Sequence, residues 1–126
     1  MKYIMITGAS SGIGEETARL LARQEDVTTI LVARNEEKLK KLVNEFGGET
    51  KYLVYDLTDV WHIESCFIKC REWGIKLDGL IHCAGIGENM PIRLIQTEHI
   101  KKMYQIHPMA FIELGKYFSK RKYSND

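Results

Sequence analysis

Short apolar runs alternate along this chain with longer stretches in which apolar residues recur every three or four positions. Tyr3-Ile4-Met5-Ile6 and the β-branched run Thr28-Thr29-Ile30-Leu31-Val32-Ala33 read as strands, as do Lys51 to Leu57 and Leu77 to Cys83. The segments between them read as helices. Glu15 to Gln24 places Ala18, Leu21 and Ala22 on one face, and Glu36 to Phe46 carries Leu39, Leu42, Val43 and Phe46 at i, i+3, i+4 and i+7 before Gly47 and Gly48 stop it. Thr58 or Asp59 is expected to cap a third helix with the stripe Ile63, Cys66, Phe67 and Cys70, bracketed by Trp61 and Trp73 as packing residues and ended by Gly74. Thr97 is the expected cap of a last helix reaching about Lys120. Its apolar face includes Ile100, Met103, Phe111, Leu114 and Phe118, and Pro108 should kink it.

Four strand–helix units in one chain of 126 residues predict a single α/β domain over 1–126, a parallel sheet with helices on both faces. Ligands of such sheets bind at the carboxyl ends of the strands. Gly8–Gly14, Arg34, Asp56 and Cys83–Gly85 all fall at such ends, so four separate features point to one edge.

The most informative of these is Thr7-Gly8-Ala9-Ser10-Ser11-Gly12-Ile13-Gly14, between the first strand and the first helix. A glycine turn in that place aims free N–H groups and the positive end of the helix dipole at one spot, where an anionic phosphate is the natural occupant. Gly8 permits the tight turn, Gly12 lets backbone approach a pyrophosphate, and Gly14 allows close helix–strand packing. The glycines alone would equally suit an ordinary strand–helix turn. No lysine follows, which excludes the ATPase phosphate loop.

Arg34 follows the second strand, where the adenosine ribose of a dinucleotide should lie. NAD-binding folds usually place a carboxylate at this strand end, and here Ala33 occupies it. A guanidinium pairs with a 2′-phosphate that a carboxylate would repel, which predicts NADP(H) over NAD(H). The alternative is a solvated strand-end arginine. Asp56, in Asp56-Leu57-Thr58-Asp59, is placed to accept from an adenine amino group or to cap the next helix; for Asp59 the cap is the preferred reading.

Composition narrows the partners. A formal net charge of +1 offers no electrostatic case for nucleic acid or a membrane surface. No apolar run approaches the roughly 20 residues of a membrane span, and no signal-peptide pattern opens the chain. Cys66, Cys70 and Cys83 make an odd count without framework spacing, so reduced cysteines and a cytoplasmic location are expected.

Thr7-Gly8-x-x-x-Gly12-x-Gly14, Asp56-Leu57 after the third strand and His82-Cys83-Ala84-Gly85 after the fourth together resemble the short-chain dehydrogenase/reductase family, over the whole chain. The resemblance implies a Rossmann-type doubly wound sheet in the order 3-2-1-4, ending before the fifth strand. It implies that Thr7, Gly8, Ser10, Ser11, Gly12, Ile13 and Gly14 hold the cofactor's phosphates and that Asp56 and Leu57 flank its adenine. Cys83, Ala84 and Gly85 would line the cofactor, and Ile106 would approach the adenine side. Arg34 resembles the NADP-preferring members, although Ser11 lacks the extra basic residue that some of them carry. The implied reaction moves hydride between nicotinamide and a small-molecule carbonyl or alcohol.

The family's catalytic Tyr-x-x-x-Lys is not among these residues. Tyr3, Tyr52, Tyr55 and Tyr104 meet Thr7, Asp56, Asp59 and Pro108 four positions on, Tyr117 meets Arg121, and Tyr123 runs past the last residue. The chain ends where the family's fifth strand should begin, at about half the usual length, so it is expected to supply the nucleotide-binding half and to be inactive alone. A noncatalytic nucleotide-binding or interaction module is the alternative. The family's Asn-Asn-Ala-Gly is His82-Cys83-Ala84-Gly85 here. The asparagine of its following helix aligns with His107, either a structural replacement or an added proton relay.

Other clusters carry no site. His62, Cys66 and Cys70 span about 12 Å of helix, too far for one tetrahedral ion. Lys116, Lys120, Arg121 and Lys122 suit a solvated helix end. A fourth strand carrying Leu77, Leu80, Ile81 and Cys83 would leave a bare apolar edge, which predicts self-association, as a homo-oligomer or otherwise.

Overall fold

In the computed structural model, which describes residues 1–85 and 90–125, the apolar runs become β1 (Lys2–Thr7), β2 (Val27–Ala33), β3 (Lys51–Val54) and β4 (Gly79–His82). All pair in parallel, in the order β3-β2-β1-β4. The helices are α1 (Gly12–Ala22), α2 (Glu36–Phe46), α3 (Glu64–Glu72), α4 (Thr97–Tyr104) and α5 (Ala110–Phe118).

Strand alternation builds two cores from one sheet. Met5, Ile30 and Val32 point to the side where Phe67, Cys66 and Cys70 of α3 meet Ala110 and Leu114 of α5. Ile6, Leu31 and Ala33 point to the other side, against Ala18 of α1 and Leu39 and Leu42 of α2. Both faces are covered, so the central strands carry unbroken apolar runs, Ile4 to Ile6 and Ile30 to Ala33, rather than an alternation. The fold is the doubly wound α/β sheet in the expected strand order.

Several boundaries move for local reasons. β3 ends at Val54 instead of Leu57, because the Asp56 carboxylate turns back to accept from the Thr58 N–H at 3.0 Å and the Thr58 hydroxyl at 2.8 Å. Asp59 does not cap α3. Its carboxylate accepts from the Trp61 N–H at 3.2 Å and lies 2.9 Å from His62 Nδ1, holding the turn before a helix whose cap residue is Ile63. Trp73 packs on the core as expected, but Trp61 is 71% exposed.

The last helical stretch is capped by Gln96 rather than Thr97, and its Gln96 N–H donates to His99 Nδ1 at 3.2 Å. Pro108 has no N–H to offer, and the backbone widens into a π-helical turn over Gln105–Met109 between α4 and α5. The expected single apolar face divides. Leu114 is buried and Phe118 packs on the core, whereas α4 contributes no buried residue, and Ile100, Met103 and Phe111 are exposed.

The outer edge of the sheet is β4, as expected, but it is less bare than expected. Leu77 is fully buried, its N–H donates to the Tyr123 carbonyl at 2.9 Å, and its own carbonyl accepts from the Asn125 N–H at 2.9 Å. Leu77 and Ser124 thereby form one parallel rung beyond the four strands. Leu80 and Ile81 are partly buried against opposite cores, so the apolar side chains expected at a bare edge are largely covered.

Candidate functional site

At the carboxyl ends of the strands lies a cleft of about 250 Å³. Gly8, Ser10, Ser11, Gly12, Ile13, Arg34, Leu57, Cys83, Ala84, Gly85 and Ile106 line it, all of them residues singled out by sequence. Thr7 and Gly14 are buried behind that wall, and Asp56 is exposed outside it. Ala33, already placed at the ribose end of the strand, also lines it, and Val32 and Tyr55 complete the lining without having been anticipated. Val32 lies two residues before Arg34, so the strand end could have indicated it. Tyr55 had no signal of its own; its hydroxyl donates to the Asp59 carbonyl at 2.5 Å, and burial pushes its pKa well above the usual range.

The glycine turn is held by backbone crowding. Gly8 has φ +66°, and a Cβ there would lie 2.6 Å from the Ala84 nitrogen. A Cβ on Gly14 would lie 2.1 Å from the Gly8 carbonyl oxygen. The first turn of α1 therefore packs directly on the loop before it and on the end of β4, a closer contact than the helix–strand packing expected of Gly14. The cap residue Ser11 is extended, and its side chain makes no capping bond. The first-turn N–H groups of α1 are thus left by Ser11 without a side-chain acceptor, at the positive end of the helix.

Thr7 is the hidden joint of the site. Its buried hydroxyl oxygen lies 2.7 Å from His82 Nδ1 and accepts from the Cys83 N–H at 3.1 Å and the Ala84 N–H at 3.2 Å. His82 Nε2 lies 3.1 Å from the Ile106 carbonyl in the π turn. One threonine and one histidine thus tie β1, the end of β4 and the last helical stretch together.

Arg34 is exposed at the mouth, next to Ala33, which is only 7% exposed. Burial would raise the Asp56 pKa, but the two Thr58 hydrogen bonds, with Arg34 and Lys102 nearby, hold its carboxyl below the usual carboxylate range. An ionised Asp56 beside Arg34 keeps that end of the cleft polar.

A second hollow of about 420 Å³ shares Ile13, Cys83, Ala84 and Gly85 with the first and adds His82, His107, Pro108 and Phe111. The His107 ring covers Gly85, where a Cβ would lie 2.6 Å from its Cε1. The other thiols belong to the core: burial pushes Cys66 and Cys70 up to about 12, so both stay protonated. Among the described residues no helix is long and apolar enough to cross a membrane.

Comparison with known proteins places this geometry in context. A family model described as short chain dehydrogenase matches residues 2–122. An uncharacterized oxidoreductase of Listeria innocua is 36% identical over 110 residues, covering 84% of this chain and 44% of the relative. A benzil reductase ((S)-benzoin forming) of Saccharomyces cerevisiae is 35% identical over 119 residues, covering 90% of this chain and 44% of that protein. A metagenomic short-chain oxidoreductase solved in complex with NADP superposes with a TM-score of 0.85 at 26% identity, covering 94% of this chain and 55% of that one. The chain spans about half the length of the relatives it matches.

Proposed function

Because the chain belongs to the short chain dehydrogenase family, we propose that it forms the nucleotide-binding half of an NADP-dependent oxidoreductase acting on a small-molecule carbonyl or alcohol. The observation that carries this reading is the pairing of an open helix end with a cation. Ser11 gives the first-turn N–H groups of α1 no side-chain cap, and Arg34 lines the same cleft. A nucleotide fits on a further count: the turn at Gly8 and Gly14 leaves no room for a Cβ, so backbone itself forms the floor.

In this reading Gly8, Ser10, Ser11, Gly12 and Ile13 hold the pyrophosphate, with Thr7 and Gly14 fixing the turn from behind. Arg34 takes the 2′-phosphate, Leu57 and Ile106 bracket the adenine, and Asp56 braces the loop that carries Leu57. Cys83, Ala84 and Gly85 form the shared wall that leads into the second hollow. The nicotinamide of such a cofactor supplies or accepts a hydride. These 126 residues hold no Tyr-x-x-x-Lys, so their own contribution is binding and orientation.

One charge-assisted contact from Arg34 to a phosphate is worth roughly 1.5–3 kcal/mol, about 10- to 150-fold in preference. Ala33→Asp with Arg34→Leu is therefore expected to lower the NADPH-to-NADH affinity ratio by that factor, measured by calorimetric titration of both cofactors. An unchanged ratio overturns the NADP assignment, and no binding of either cofactor by the parent chain overturns the nucleotide reading.

A further inference from the structure

We propose that His82 is a positioning residue that latches the cleft only in its neutral Nε2–H form, so that protonating it loosens the wall formed by Cys83 and Ala84. The inference rests on the nucleotide-binding reading for its consequence, but not for its geometry.

The proton positions follow from what each partner can do. The Ile106 carbonyl only accepts, so His82 Nε2 at 3.1 Å carries the hydrogen. The π turn supports this contact, since it sends the Ala110 N–H back to the Gln105 carbonyl, one residue further than an α-helix would. A neutral imidazole has one N–H, so Nδ1 is an acceptor and the Thr7 hydroxyl, 2.7 Å away, donates to it. The two lone pairs of that hydroxyl then receive the Cys83 and Ala84 N–H groups. Every hydrogen-bonding capacity of the Thr7 hydroxyl is used once, with the Cys83 N–H shared between that hydroxyl and the Thr7 carbonyl.

A second ring proton breaks this arrangement. It would sit on Nδ1, facing a hydroxyl whose lone pairs are both taken, on a threonine with no exposed surface. Relief requires giving up the Ala84 amide bond, or turning the Cys83 N–H wholly onto the Thr7 carbonyl that it already reaches at 3.2 Å. Ala84 also lies against Gly8, where an added Cβ would stand 2.6 Å from its nitrogen, so its displacement reaches the glycine turn.

The surroundings favour the neutral ring. Burial, against the pull of the Ile106 carbonyl and with help from His107, holds His82 below the ordinary histidine range. β1 presents only the Thr7 hydroxyl to the ring and α5 the Phe111 ring, 6.1 Å between centroids. Among the described residues the titratable group acting on it is His107, of the π turn. The sign follows from the lowered pKa. The unfolded chain binds the proton more readily, so stability is full above about pH 6.5 and falls as the pH drops below it.

The test has two arms. On the nucleotide-free, ¹⁵N-labelled chain, imidazole nitrogen shifts and the Cys83 and Ala84 amide resonances are followed from pH 8 to 5. The expected result is an Nε2–H tautomer at neutral pH, with both amides moving in step with protonation of His82. In the second arm, NADPH affinity is measured at each pH for the parent and for His82→Asn, whose amide oxygen stands near the place of Nδ1 but does not titrate. The parent-to-variant affinity ratio is expected to fall about fivefold between pH 7.5 and 5.5, the effect of one lost hydrogen bond. Taking the ratio cancels titration of the ligand's own phosphate and of the other histidines.

An Nδ1–H tautomer, amides that ignore the His82 titration, or a flat affinity ratio overturns the inference. Should NADPH bind at no pH, or should His82→Asn fail to fold, the first arm decides the latch alone. The absence of binding counts against the proposed function and leaves the latch standing or falling on its own spectra.

Discussion

Helices α1 and α2 both follow a strand of the same sheet and start at the same edge, yet their first turns are finished in opposite ways. At α2, the Asn35 side chain accepts from the Lys38 N–H at 3.1 Å, and Glu36 and Glu37 occupy the first turn. Glu36 also accepts from the Tyr52 hydroxyl at 3.2 Å, which joins that turn to β3. The positive helix end is met from within the chain. At α1, Ser11 makes no side-chain cap, and Glu15, the one acidic residue of the first turn, pairs with Arg19 at 3.5 Å. A helix N-terminus becomes a place for an anion only where the chain declines to cap it, and glycines then bring the ligand close to backbone.

The contrast can be broken at three points. The largest effect is expected from Gly14→Ala. Its new Cβ would meet the Gly8 carbonyl oxygen at 2.1 Å, backbone that cannot swing aside. A loss of about 3 kcal/mol in denaturant unfolding, with loss of NADPH binding, is the expected outcome. Next comes Ser11→Asp, which gives α1 the kind of cap that α2 has. Stability should rise by about 0.5 kcal/mol while NADPH affinity falls roughly 10- to 30-fold, because a carboxylate then stands where the pyrophosphate belongs. Opposite signs in a thermal melt and a binding titration are the signature; equal signs would mean the open end serves no anion. The smallest change is Asn35→Ala, worth about 1 kcal/mol of stability, with NADPH affinity unaltered.

Much of the architecture was readable because its signals are local. The strand order followed from four strand–helix repeats with the motifs that mark a known family, and the double-sided core from runs such as Ile30 to Ala33, apolar at every position. The cleft was readable for the same reason: a strand end, a glycine turn and a cation each declare themselves within a few residues. Errors arose where a side chain had more than one surrounding within reach. Asp59 could cap a helix or close a turn, and its carboxylate closes the turn. Trp61 could pack or stay in water, and its neighbours leave it in water.

Period and turn chemistry, carried by neighbouring residues, therefore set the elements, their order along the chain and the edge at which a ligand would meet them. Contacts between residues far apart in sequence were decided by the assembled sheet. Nothing near Thr7 announces that its hydroxyl will serve His82, Cys83 and Ala84, 75 to 77 positions away. Nothing near Leu77 announces that Tyr123 and Asn125 will cover its backbone. A hydrogen bond needs its donor and acceptor within about 3 Å, and over such separations only the packing of β1 against β4 brings them that close.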